Sequence, residues 1–224
     1  DSLDETVPEM KKILAVNGLA YPLDGDPGVG DNWDRILLDK QGQCSAVNAA
    51  AATVNTPWIF VTNDDMIYAP GWWERLVAPI DEDILCISPQ LVEPRKGAPT
   101  FIEYFCGGAG GDFDKQKWLD FAGQSTGKSM VTLEKVMPKG LCRTGFNLPF
   151  LIKKELWDLI GGYDINFDPF GSNGDSDVEY KIRLAGVQPY QNTNCLVYHF
   201  SQTSGTFHPD NREYWQKNWD YFIE

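Results

Sequence analysis

The most constraining feature of this chain is the run Trp58-Ile59-Phe60-Val61, which is wholly apolar and ends abruptly in Thr62-Asn63-Asp64-Asp65. A short apolar run rich in β-branched and aromatic side chains, bounded by polar ones, predicts a buried strand. Just before it, residues 45–54 are small, apolar and alanine-rich, which suits a helix packed closely against a sheet. Helix followed by buried strand is the unit from which α/β folds are built. In such sheets ligands gather at the carboxyl edge of the strands, where this chain places polar groups.

The same reading extends along the sequence. Strands are predicted at 35–38, where the core begins, and at 84–88, 150–152 and 195–200. A first helix is predicted over 5–16, with Val7, Met10, Ile13 and Leu14 near helical spacing and Asn17-Gly18 as its stop. Further helices are expected at 71–79, at 153–160 before Gly161-Gly162, and around Val178, Ile182 and Ala185, which fall at i, i+4 and i+7 ahead of Gly186. A terminal helix over 209–222 would place Trp215, Trp219 and Phe222 on one face. Residues 21–32, dense in Gly, Asp and Pro, read as a loop; residues 107–140 read as a long irregular insertion near the site. With 42% hydrophobic and 13% aromatic residues in 224, one sizeable core and a single domain over 1–224 are expected.

Charge narrows the function classes. The 19 Lys and Arg face 32 Asp and Glu, a formal charge of −13, which repels a nucleic-acid backbone and an anionic membrane surface. A diphosphate substrate would be disfavoured too, unless a divalent cation or local basic residues neutralise it. Cys44, Cys86, Cys106, Cys142 and Cys195 are scattered, odd in number and without CxxC spacing, so neither a disulfide framework nor a zinc site is indicated and a reducing, cytoplasmic setting is expected. No apolar run of about 18 residues and no charged-then-apolar leader is visible, so no membrane span or signal peptide is expected.

Three clusters could carry chemistry: Asn63-Asp64-Asp65 after a strand, Gly174-Asp175-Ser176-Asp177 at a helix start, and His199 at a strand end. Each has a plain structural reading, respectively turn formation, N-capping with dipole compensation, and a satisfied structural histidine. Their order and surroundings say more. Residues 48–52, then 58–66 and Pro70-Gly71-Trp72, are followed by Gly161-Gly162-Tyr163-Asp164 with Phe167, by 174–186, and by Val197-Tyr198-His199. Taken in that order, these segments resemble the core motifs of glycosyltransferase family 2, from about Lys40 to the end of the chain.

The resemblance implies a GT-A fold, a Rossmann-like mixed sheet flanked by helices. It also implies an inverting, hexosyltransferase-like enzyme that moves a sugar from a nucleoside diphosphate donor to a hydroxyl acceptor. On this reading Asp65 and His199 bind a divalent cation, Mn2+ or Mg2+, within a DxD-like motif begun by Asn63 and Asp64. Asp175 aligns with the family's general base, and its place at a helix N-terminus favours the ionised carboxylate. Gly174 stands where the family carries a Glu. Asp177 would orient the acceptor, and Arg143, Ser204 (with Thr203) and Lys217 would contact donor phosphates. Trp72, Trp73, Trp118 and Tyr163 could stack on a sugar ring or belong to the core.

The family normally begins with a strand, a helix and a second strand that hold the nucleotide. Asp1-Ser2-Leu3-Asp4-Glu5-Thr6 resembles only the end of that second loop, so the fold is read as N-terminally truncated by about 35 residues, one β-α-β unit. Residues 1–62 would be the remainder of the nucleotide half, with Asp4 as its acidic group, and 63–224 the metal, base and acceptor half. Such a chain could be active, inactive or dependent on a partner, and a homo-oligomer stays open. The rival readings are a non-catalytic sugar- or nucleotide-binding module on a degenerate scaffold and a sugar nucleotidyltransferase. The last would need a Gly-rich basic loop near its first strand, which the sequence lacks.

Overall fold

The computed structural model describes residues 2–17, 33–40, 42–94, 101–108, 111–125, 136–200 and 209–224. The predicted loop 21–32 and Ser204 lie outside the described residues. The chain opens with a short helix α1 (Ser2–Thr6), then strand β1 (Lys12–Asn17), which pairs in parallel with β2 (Trp33–Leu38) as a two-stranded sheet. This overturns the single helix expected over 5–16. Pro8 has no amide proton to continue a helix and biases the residue before it toward extended backbone. The apolar residues Ile13, Leu14 and Val16 then go to strand pairing instead. Nor does the core begin at β2: Leu37 is 59% exposed, because this ribbon stands apart from the main sheet and is covered on one side by helix α2 (Gln43–Ala52).

The main sheet comprises β3 (Trp58–Val61), β4 (Met66–Tyr68), β5 (Cys86–Glu93), β6 (Ile102–Glu103), β7 (Leu141–Cys142), β8 (Phe150–Lys153) and β9 (Tyr190–His199). Its order is β3-β8-β5-β9-β4, with β6 beside β5 and β7 beside β9. Only β5–β9 and β5–β6 are parallel pairs; β8 runs antiparallel to β3 and β5, and β4 and β7 run antiparallel to β9. The fold is therefore mixed α/β. Every residue of β5 is buried, as expected of a strand covered on both faces. Its register with β9 shifts between Pro89 and Gln90, which is how a proline is accommodated inside a sheet. The strand accordingly runs past the expected end at Ser88 as far as Glu93.

One face of the sheet packs Leu91, Phe150, Ile152 and Val197 against helices α3 (Trp72–Val77), α5 (Lys154–Ile160) and α6 (Gly174–Leu184). The other packs Val92, Leu196 and Tyr198 against Trp118 and Ala122. Those two residues belong to α4 (Lys115–Ser125), so a helix occupies part of the expected irregular insertion. Trp118, Leu119, Phe121 and Ala122 supply its apolar residues, diluted by lysines, glutamines and a glycine. The terminal helix α7 (Arg212–Ile223) buries Asn218 rather than an aromatic stripe, and Trp219 is 48% exposed.

Candidate active site

Strand register assembles the first cluster. His199 ends β9, opposite Met66 of antiparallel β4, and the Phe200 amide donates to the Asp65 carbonyl at 3.0 Å. On its other side β9 runs parallel to β5 with Tyr198 opposite Val92, so Glu93 follows in step with His199. Three strand ends thereby place Asp65, His199 and Glu93 side by side. The imidazole is held between two carboxylates, with Nδ1 2.8 Å from Glu93 Oε1 and Nε2 3.3 Å from Asp65 Oδ2. Burial of the ring opposes its positive charge, but hydrogen bonds to Asp65 and Glu93, together with their charges, outweigh burial and push His199 up to about 9.

This donor set fits a hard divalent cation. Two ligand atoms of one Mg2+-sized ion, each about 2.1 Å from it at right angles, stand about 3 Å apart. Asp65 Oδ2 and His199 Nε2 are already close to that spacing, and carboxylate oxygen with imidazole nitrogen suits Mn2+ or Mg2+. Among the described residues, no group of three or more His, Cys, Asp or Glu side chains forms a ready cage, so most coordination positions would fall to water or substrate oxygens.

The second cluster sits at the start of α6. Asp175 is in the first turn, and burial raises its carboxyl above the ordinary aspartate value. The Tyr163 hydroxyl, donating to Asp175 Oδ1 at 2.5 Å, the nearby His199 and the Leu148 backbone each offset part of that rise. Asp175 and His199 thus sense one another electrostatically, and the structure brings the base and cation candidates together. The absence of a side chain at Gly174 has a physical account. A Cβ on Gly174 would meet the Tyr163 ring at 3.2 and 3.3 Å, so the missing side chain makes room for the tyrosine that holds Asp175.

Support reaches this point from elsewhere in the chain. Asn48 clasps the Tyr163 backbone, its Nδ2 donating to the carbonyl at 2.8 Å and its Oδ1 accepting from the amide at 3.0 Å. Asp168 accepts from the Cys44 and Ser45 amides at the N-terminus of α2, at 2.8 and 3.2 Å. Asn218 of α7 donates to the carbonyls of Phe167 and Ser172, tying down the loop that leads into α6.

Residues 32–102 match the family model described as glycosyl transferase family 2. Over that stretch, about a third of the chain, it is similar to family 2 glycosyltransferases. That segment contains Asp65 and Glu93, while Asp175 and His199 lie beyond it. Among solved structures, the crystal structure of GalNAc-T7 with UDP, GalNAc and Mn2+ is similar to the chain at 18% identity, with a TM-score of 0.48, over 75% of this chain and 32% of that one. The chain thus spans about a third of that protein's length. No curated protein matches it.

Around the matched segment, the other predicted residues fall in different places. Asn63 and Asp64 directly precede Asp65, Asp64 being exposed. Asp4 is engaged elsewhere: Lys12 Nζ lies 3.2 Å from Oδ1, and Trp33 Nε1 donates to the same oxygen at 3.1 Å. Asp177 pairs with Lys181 at 2.8 Å, and the same ammonium donates to the Gly162 carbonyl. Arg143 is exposed, and its carbonyl accepts from Arg183, about 12 Å along α6 from Asp175 at 1.5 Å per residue. Lys217 is exposed on α7.

The sugar-stacking expectation is overturned for Trp72 and Trp118, both 0% exposed, and for Tyr163, 4% exposed. Rings buried to that degree offer no face to a ligand, whereas Trp73 is partly exposed. No described helix is long and apolar enough to cross a membrane. All five cysteines are buried free thiols. Sequence reasoning missed Glu93 because it ended β5 at Ser88. The signal was an acidic residue closing an apolar run, the same pattern that identified Asp65.

Proposed function

We propose that the chain is the metal, base and acceptor part of an inverting glycosyltransferase that moves a sugar from a nucleoside diphosphate sugar to a hydroxyl acceptor. The observation that carries this reading is the part-buried Asp175 in the first turn of α6, held by the Tyr163 hydroxyl and near His199, whose Nε2 faces Asp65. A carboxylate whose pKa is lifted toward neutrality is a stronger base than an exposed one. Oδ1 accepts from the Tyr163 hydroxyl and the Leu148 backbone also bonds the carboxylate, which on this reading takes the acceptor proton. As that proton moves to Asp175, the acceptor oxygen forms its bond to the anomeric carbon, and the bond to the diphosphate breaks on the opposite face. Single displacement with an external base inverts the anomeric centre. A divalent cation held by Asp65 and His199 would supply Lewis-acid stabilisation to the departing diphosphate.

Within the expected binding set, Asp64, Arg143 and Lys217 are exposed and Asn63 and Trp73 partly so. The decisive experiment is Asp175→Asn with a competent donor and acceptor. Transfer is expected to fall by roughly 100-fold or more with the fold intact by circular dichroism, the range a positioned general base contributes. Full retained activity would overturn the assignment.

A further inference from the structure

We infer that Glu93 is the positioning residue of His199, fixing which ring nitrogen is offered to a divalent cation; this rests on the cation reading of Asp65 and His199 given above. Glu93 is 2% exposed, and a carboxylate withdrawn that far from water is costly unless a strong partner compensates it. Its partner is His199 Nδ1 at 2.8 Å. With Nδ1–H committed to Glu93, the only lone pair the neutral ring can present is on Nε2, the nitrogen that faces Asp65 at 3.3 Å.

The carboxylate is also rigidly placed. Glu93 closes β5, is paired in register with Glu103 of β6 on one side, and its carbonyl accepts from the Tyr104 amide at 2.9 Å. On the other side, β9 carries His199 in step with it. Two strands therefore fix the Glu93 backbone, and Glu93 in turn fixes the ring. A carboxylate on the far nitrogen of a metal-binding histidine sets the tautomer, holds the ring plane and raises the basicity of the ligating nitrogen, and losing it typically weakens metal binding 10–100-fold. Glu93 is distinct from Asp65 because it contacts the nitrogen turned away from the cation-binding pair.

Mn2+ titration followed by electron paramagnetic resonance of the free ion tests this without any substrate. Glu93→Gln keeps the shape while removing the charge and is expected to bind Mn2+ about tenfold more weakly than the parent; Glu93→Leu, which also removes the acceptor, is expected to lose about 100-fold. His199→Ala is the control. If His199→Ala loses Mn2+ binding while folded Glu93→Gln binds as tightly as the parent, the positioning role is overturned and the cation site stands. If His199→Ala leaves binding unchanged, the cation reading fails and the role of Glu93 falls with it.

Discussion

Two cationic side chains of this protein are withdrawn from water and held by carboxylates. Lys12, 5% exposed, is paired with Asp4 beside the β1–β2 ribbon; His199 sits between Asp65 and Glu93 at the edge of the main sheet. Both satisfy the rule that a buried charge needs a partner. They differ in what the cation can become. An ammonium has three protons and no lone pair, so Lys12 offers no nitrogen to a metal ion. An imidazolium can exchange one proton for a metal ion and keep its second nitrogen anchored. Their settings differ as well, because the ribbon is half-exposed and locally held while the three strand ends are locked by ladder pairing. The comparison shows that a buried ion pair reads as functional only when its cation can give up a proton without leaving its place.

The largest effect expected on this contrast lies at the ribbon. Because the Lys12 side chain is 4% exposed and that of Asp4 28%, Asp4→Asn strands an ammonium in the interior, whereas Lys12→Met leaves a carboxylate that water can reach. Asp4→Asn is expected to destabilise by about 3 kcal/mol and Lys12→Met by less than half of that. Denaturant titration with hydrogen exchange on the β1 and β2 amides measures both, and equal losses would show that the pair is not asymmetric.

Next comes pH. His199 is raised from its ordinary value near 6.5 to about 9, so its ion pairs contribute fully below about 6.5 and are lost as pH rises through about 9. The metal-free protein should lose up to about 3 kcal/mol across that window, and His199→Gln should flatten the slope. A flat profile in the parent would mean that folding does not raise the pKa of the imidazole. The same proton competes with metal, so Mn2+ affinity should rise about tenfold per pH unit up to about 9. Calorimetry in two buffers of different ionisation enthalpy would detect the released proton.

The smallest effect concerns Asp175, the proposed base. Tyr163→Phe removes the hydrogen bond that lowers the Asp175 pKa, so the acid limb of the kcat/KM profile should move to higher pH, with a stability loss of about 1 kcal/mol. An unmoved limb would separate Tyr163 from the base and leave it purely a core residue.

Much of this site was legible in the sequence. Apolar runs ended by Asp65 and His199, and a helix opened by Asp175, carry local signals that survive folding, because strand ends and helix starts are fixed by neighbouring residues. The roles that depend on distant partners were not legible. Tyr163 reads as a stacking aromatic until Gly174 and Asp175 are seen around it. That Asp177 pairs with Lys181, whose ammonium also reaches the Gly162 carbonyl, shows only in the folded chain. Glu93 stayed hidden because Pro89 looks like the end of a strand when only a change of register occurs there.

The sequence by itself determined the alternation of helix and buried strand, the positions of the three polar clusters and the acidic charge, all of which follow from residue type and short-range periodicity. Only the tertiary structure decided that β1 is a strand, that a helix lies within the expected insertion, and that Glu93 joins Asp65 and His199. The physical reason is that register is set between strands far apart in the chain. A carboxylate 106 residues away becomes a partner of His199 only when β5 and β9 lie side by side.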